Sequence, residues 1–203
     1  GADPDATINN SSGWNSNIRF HFNNGTAGAG DTYYVDEYYI TPTSTVVPLP
    51  NPPTSIVDYE DDGLVPPKPD CISTPEWVND PNAPLVTTIT NPSTSGINST
   101  ANCVEYVETA GSSAGNSLQL TFDATTARSG HDLISDKFVN VMVYSKDQTD
   151  FDLLLELGAG GTPHYSMTKS ISTTLNTWTE VEFDFSGADP AAIINNANGY
   201  ISN

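Results

Sequence analysis

Apolar and polar residues alternate with a period of two along most of this chain, which restricts it to a sheet protein. Successive side chains of a strand point to opposite faces, so a half-buried strand alternates. Ile18-Arg19-Phe20-His21-Phe22 places Ile18, Phe20 and Phe22 on one side. Thr32 to Ile40 is rich in Tyr and Val, and Val104 to Val107, Leu118 to Phe122, Phe138 to Tyr144 and Tyr165 to Ile171 follow. Phe151 to Leu157 is nearly all apolar on both faces, as suits a central strand. In Thr179 to Phe185, Val181, Phe183 and Phe185 face one way and the acids Glu180, Glu182 and Asp184 the other. Gly and Pro, 15 of each, make turns frequent and long helices few. The one helical hint is Pro190 to Asn195, about one turn, with Asp189 as its cap. Eight or nine short strands joined by long turns predict an all-β fold, an antiparallel β-sandwich of jelly-roll type.

The two ends of the chain repeat each other. Gly1 to Asn17 and Gly187 to Asn203 match at 11 of 17 positions without a gap, at an offset of 186 residues. One mismatch is aromatic for aromatic, Trp14 against Tyr200. The simplest account is a tandem-repeat module cut out of register. Residues 1–42 are then the closing strands of one module, and residues 55–203 the next module without its own closing strands. Between them, residues 43–54 with Pro42 hold five prolines, a semi-rigid extended spacer. A sandwich without its last strands exposes a ladder of unpaired backbone groups. Either residues 18–40 fold back onto their own chain, or they complete a neighbouring copy.

Charge narrows the function classes. Lys and Arg total 6 against 25 Asp and Glu, a net charge of −19. Nucleic acid and anionic membrane need cationic side chains to neutralise phosphate, so neither is an expected partner. No apolar run approaches the roughly 18 residues of a membrane span. The first twenty residues carry neither a basic start nor an apolar stretch, so no signal peptide is read there, and the chain is expected to be a piece of a longer one. Two cysteines, Cys71 and Cys103, suit one disulfide in an oxidising compartment, or two buried thiols. No Cys-x-x-Cys or Cys/His cluster exists to hold zinc.

Several stretches resemble a carbohydrate-binding-module-like jelly-roll repeat of secreted and cell-surface proteins of Bacteroidota. Tyr59-Glu60-Asp61-Asp62-Gly63 resembles its "Phe-Glu-x-Gly" opening. Asn91 to Thr100 resembles its "Asn-Pro-x-x-Ser-Gly-Ile-Asn-x-Ser" element, and Val143-Tyr144-Ser145 its "Val-Trp-Ser" strand. Asn176 to Ser186 resembles its "Trp-x-x-Leu-x-Phe-Asp-Phe-Ser" strand, which implies a buried ring at Trp178. Phe20 to Gly25 and Gly30 to Glu37 resemble the closing element, which the family places last rather than first. Asp36-Glu37-Tyr38 departs from its usual Asp-Asp-Ile, and the Pro-rich stretch from Pro66 to Pro84 reads as an insertion. The resemblance implies a structural calcium ion between the first and last strands. The matching positions are Glu60 and Asp36, with Asp62 nearby; calcium takes six to eight oxygen ligands, which carboxylates and loop carbonyls supply.

Catalysis finds little to stand on. His21 points outward from a strand, His131 and His164 sit in Gly-rich turns, and no nucleophile has a local base. Paired carboxylates are plentiful, but 25 acids produce such pairs by chance. Sugar binding needs exposed aromatic rings to stack on pyranose faces. Trp77, Tyr34 and Tyr165 are the leading candidates, with Trp14 and Tyr38 behind them. The expected function is therefore a non-catalytic repeat module of a long extracellular or cell-surface bacterial protein, a stalk, adhesin or filament unit whose partners are copies of itself. The alternative is a carbohydrate-binding module of a secreted polysaccharide-degrading protein.

Overall fold

The computed structural model describes residues 17–23, 26–41, 44, 70–74, 82–121, 138–159 and 162–186. The end repeats, the Pro-rich spacer and the helical hint at 190–195 lie outside them. The described residues form ten strands: β1 (Asn17–Phe22), β2 (Thr32–Thr41), β3 (Asp70–Thr74), β4 (Leu85–Thr90), β5 (Asn102–Val107), β6 (Ser117–Thr121), β7 (Phe138–Ser145), β8 (Asp150–Ala159), β9 (Thr162–Ser172) and β10 (Trp178–Asp184). They make two five-stranded antiparallel sheets, ordered β3-β6-β1-β8-β9 and β10-β7-β2-β5-β4. The described residues contain no helix, so none is long and apolar enough to cross a membrane. The chain is an all-β protein with the two-sheet build of a sandwich.

The N-terminal strands occupy the middle of both sheets. β1 pairs with β6 on one side and with β8 on the other, from Asn17↔Gly158 to Phe22↔Leu153. β2 likewise lies between β5 and β7. β8 has partners on both flanks, β1 and β9.

Alternation explains what each strand buries. Phe20 and Phe22 of β1, Leu118 and Leu120 of β6, and Phe151, Leu153 and Leu155 of β8 point into the space between the sheets. They meet Tyr33, Val35 and Tyr38 of β2, Val104 and Tyr106 of β5, the three valines 139, 141 and 143 of β7, and Val181 and Phe183 of β10. Phe22 stacks on Tyr33 at 4.3 Å and on Tyr106 at 5.1 Å between ring centroids. Each such aromatic pair adds about 0.5–1.5 kcal/mol beyond the area it buries.

A β-bulge in β2 resets this alternation. Asp36 pairs with Met142 and Tyr39 with Asn140, so one extra residue sits on β2 between them. Glu37 absorbs it with φ of 49°, the left-handed region that non-glycine residues rarely enter. Before the bulge the odd residues Tyr33 and Val35 face the core; after it the even residue Tyr38 does. Asp36-Glu37-Tyr38, where the sequence departs from the pattern it resembles, is this bulge.

Two strands fall outside the sequence expectation. β3 lies within the Pro-rich stretch read as an insertion, and pairs with β6 at the edge of its sheet. β4 is the edge strand beside β5, with Leu85 66% exposed.

Candidate functional site

The outward face of the second sheet is itself covered. Tyr34, Cys103, Met142, Tyr144 and Trp178 form a second apolar cluster there, with Ile89 and Ile97 against it. Ile97 belongs to the 91–101 connection between β4 and β5, which closes by a backbone bond from Asn91 N–H to the Ala101 carbonyl (2.8 Å). Asn91 also donates from Nδ2 to the Thr100 carbonyl (2.9 Å) and accepts at Oδ1 from the Ser93 N–H (2.8 Å). The Trp178 indole donates to Asn91 Oδ1 and to the Ser93 carbonyl, both at 3.0 Å. Trp178 is thus buried with its one polar atom satisfied, as the resemblance implied.

The same connection captures Asp36. Asn98 donates from Nδ2 to Asp36 Oδ2 (2.8 Å), Thr100 donates its hydroxyl to the same oxygen, and the Glu37 N–H donates to Oδ1 (2.9 Å). Burial pushes the Asp36 carboxyl well above the usual carboxylate range, against the bonds from Thr100 and Asn98. Three separated stretches of the sequence therefore meet in one buried polar knot, built from Asp36, Asn91, Asn98 and Trp178.

A second buried polar group closes one end of the sandwich. Asn23 follows β1, Asp31 precedes β2, Glu108 follows β5 and Gln148 follows β7. Asn23 Nδ2 lies 2.8 Å from the Tyr33 hydroxyl, 3.2 Å from Glu108 Oε2 and 3.3 Å from Asp31 Oδ2. Gln148 donates from Nε2 to the same Asp31 oxygen. Asp31 and Glu108 are 8% and 5% exposed. Burial pushes the Glu108 carboxyl up to about 7; the bond from Asn23 opposes this and the Asp31 charge adds to it.

Backbone contacts hold these loops together. Gly28 N–H donates to the Ser112 carbonyl (3.1 Å), and Gly111 N–H to the Gly28 carbonyl (2.8 Å). A side chain at position 28 has no room, since a Cβ there falls 2.2 Å from the Ser112 hydroxyl and 2.9 Å from the Thr109 carbonyl oxygen. Beside the group opens a cleft of about 540 Å³, lined by Asn23, Gln148, Asp150, Phe151, Asp152 and Ser170 among others.

Of the expected site residues, Asp36, Tyr34 and Cys103 have described side chains. Asp36 sits in the knot, while Glu60 and Asp62 lie outside the described residues. Tyr34 is 6% exposed, its ring packed edge-on against Tyr144 at 5.2 Å. Trp77 and the side chain of Tyr165 lie outside the described residues. Cys103 is buried in the second cluster, while Cys71 is on β3 of the other sheet and its side chain lies outside the described residues. His21 does point outward from β1, where it meets Glu156 of β8 at 2.9 Å. Burial raises the Glu156 carboxyl, but the His21 bond and charge, with Arg19, together hold it below its usual range. No three or more His, Cys, Asp and Glu side chains converge among the described residues.

Asp31, Glu108 and Gln148 went unnoticed in the sequence, because they lie on separate connections and share no spacing pattern. No known protein family, curated protein or solved structure matches this chain.

Proposed function

We propose that this chain is a non-catalytic, jelly-roll building block of a long extracellular bacterial protein, in which N-terminal strands complete the sandwich of the module that precedes them in an array. The observation that carries this reading is the central position of β1 and β2, each flanked on both sides by strands from beyond residue 69. Moved to the end of the chain, β1 and β2 continue the switching between sheets that β6, β7 and β8 follow. The matching ends supply the register: Asn203 is equivalent to Asn17, so the residue that continues an array after Asn203 is the counterpart of Ile18. The acidity of the chain supports the same reading, since like-charged modules stay soluble and extended.

A permuted chain tests it, with residues 55–203 followed directly by 18–42. The expected outcome is a monomer by light scattering that melts cooperatively, at or above the midpoint of the original order. An aggregated or unfolded permutant overturns the register. The original chain is expected to form oligomers that grow with concentration, as strands swap between copies; a compact monomer at every concentration restricts them to their own chain.

The alternative, a carbohydrate-binding module, is supported by the cleft beside Asn23, whose carboxylates and hydroxyls suit sugar hydroxyl groups. A polysaccharide affinity that disappears on Trp77→Ala or Asp152→Ala favours it.

A further inference from the structure

We propose that Asp31 and Glu108, with the side-chain amides of Asn23 and Gln148, form a calcium site at the end of the sandwich, reached from the adjoining cleft. It is separate from Asp36 and does not rest on strand exchange.

The first ground is the crowding of oxygens around one nitrogen. Asn23 Nδ2 has three oxygens within 3.3 Å: Tyr33, Glu108 and Asp31. An amide nitrogen carries two hydrogens, so it cannot bond all three. A second amide, from Gln148, is aimed at the same Asp31 oxygen. Turning either amide by half a revolution exchanges its NH2 for a carbonyl oxygen without changing its shape. A turned Asn23 puts its oxygen among those of Tyr33, Glu108 and Asp31, and a turned Gln148 puts its own against Asp31, the donor type that calcium prefers, with water from the cleft to complete six to eight.

The second ground is a polar atom with nothing to bond. Tyr106 is fully buried and its hydroxyl has no hydrogen-bond partner among the described residues. It stands directly across from Tyr33 and stacks on the same Phe22 ring. Its ionisation is pushed up by burial and then by the Glu108 charge. An unpaired buried hydroxyl costs about 1–3 kcal/mol. A hydrated ion beside Glu108 supplies the missing partner.

The third ground is charge. Two buried carboxylates lie together, and the His21 pairing with Glu156 is on another strand pair. Neither Asp31 nor Glu108 has a cationic partner among the described residues. Buried charges are ordinarily paired or coordinate a metal.

The test uses the full 203-residue chain, with two readouts. One is the melting temperature in chelator and in millimolar calcium chloride. The other is terbium emission excited through tyrosine, for which Tyr33 and Tyr106 are close donors, with competition by calcium. The wild type is expected to melt higher in calcium and to sensitise terbium. Glu108→Gln weakens calcium by at least about tenfold, the loss that follows even from removing a ligand's supporting partner. Asn23→Asp adds a third carboxylate: it melts lower than wild type in chelator, is restored by calcium, and binds calcium more tightly.

No calcium effect on wild-type melting overturns the site. So does an undiminished response in Glu108→Gln, which places the ion elsewhere, Asp36 being the first alternative. If Glu108→Gln does not fold, Asn23→Asp decides alone, since hydrogen bonding without a metal predicts a weakened protein that calcium cannot restore.

Discussion

Asn98 is 1% exposed, and its amide faces a carboxylate 62 positions away in sequence. Replacing it by alanine removes a bond from a fully buried acid and leaves that oxygen short of a donor. The expected cost for Asn98→Ala is about 1–3 kcal/mol. Urea denaturation should show a lower midpoint with an unchanged slope. A midpoint shift too small to measure would mean that water replaces the amide. Asn91, Asn98 and Trp178 were legible only through the patterns they resemble, because their partners lie on distant elements. Asp31 and Glu108 were not legible at all. In a chain with 25 acids, nothing local marks the two that a fold will bury.

Strands were easier to read where one face alone is apolar. Phe20 and Phe22 of β1 and Val181 and Phe183 of β10 alternate cleanly because one side of each packs into the core. β4 escaped this reading because it is apolar on both faces: Val86 packs on the core and Ile89 on the outer cluster. β3 is short and lies among prolines, which usually mark connections. The bulge in β2 is also invisible to a simple alternation rule, since it changes the parity of the strand part-way along. Removal of residues 1–42 takes the middle strand from both sheets, opening two ladders in each and stripping Phe20, Phe22, Tyr33, Val35 and Tyr38 from the core. The remainder is expected to be insoluble or aggregated. A truncated chain that stays monomeric and melts cooperatively would show that the remaining strands close up without it.

Across the molecule, 25 acids against 6 bases leave stability governed by how each carboxyl is housed. Glu108 prefers its neutral form in the fold, with its ionisation raised from 4.5 to about 7. Its contribution is complete below its unfolded value and is lost as pH rises through about 7. Asp36, raised by burial, acts in the same direction. Glu156, held low with His21, contributes in the opposite sense: its share is present above its unfolded value and lost as pH falls. In chelator, the melting temperature should therefore decline as pH rises from 4.5 to beyond 7. Glu108→Gln should flatten that decline without abolishing it, and a decline of unchanged slope in the variant would assign the effect to other groups.

A strand gripped along both flanks also answers a pull differently from one at an edge. Tension on the start of β1 runs along the strand, so the rungs to β6 and to β8 are sheared together instead of parting one after another. Among the described residues, the outer strands β3, β9, β4 and β10 have a partner on one side only and can be peeled. Force entering through the N-terminal segment thus meets a strand held along both flanks, in the middle of its sheet.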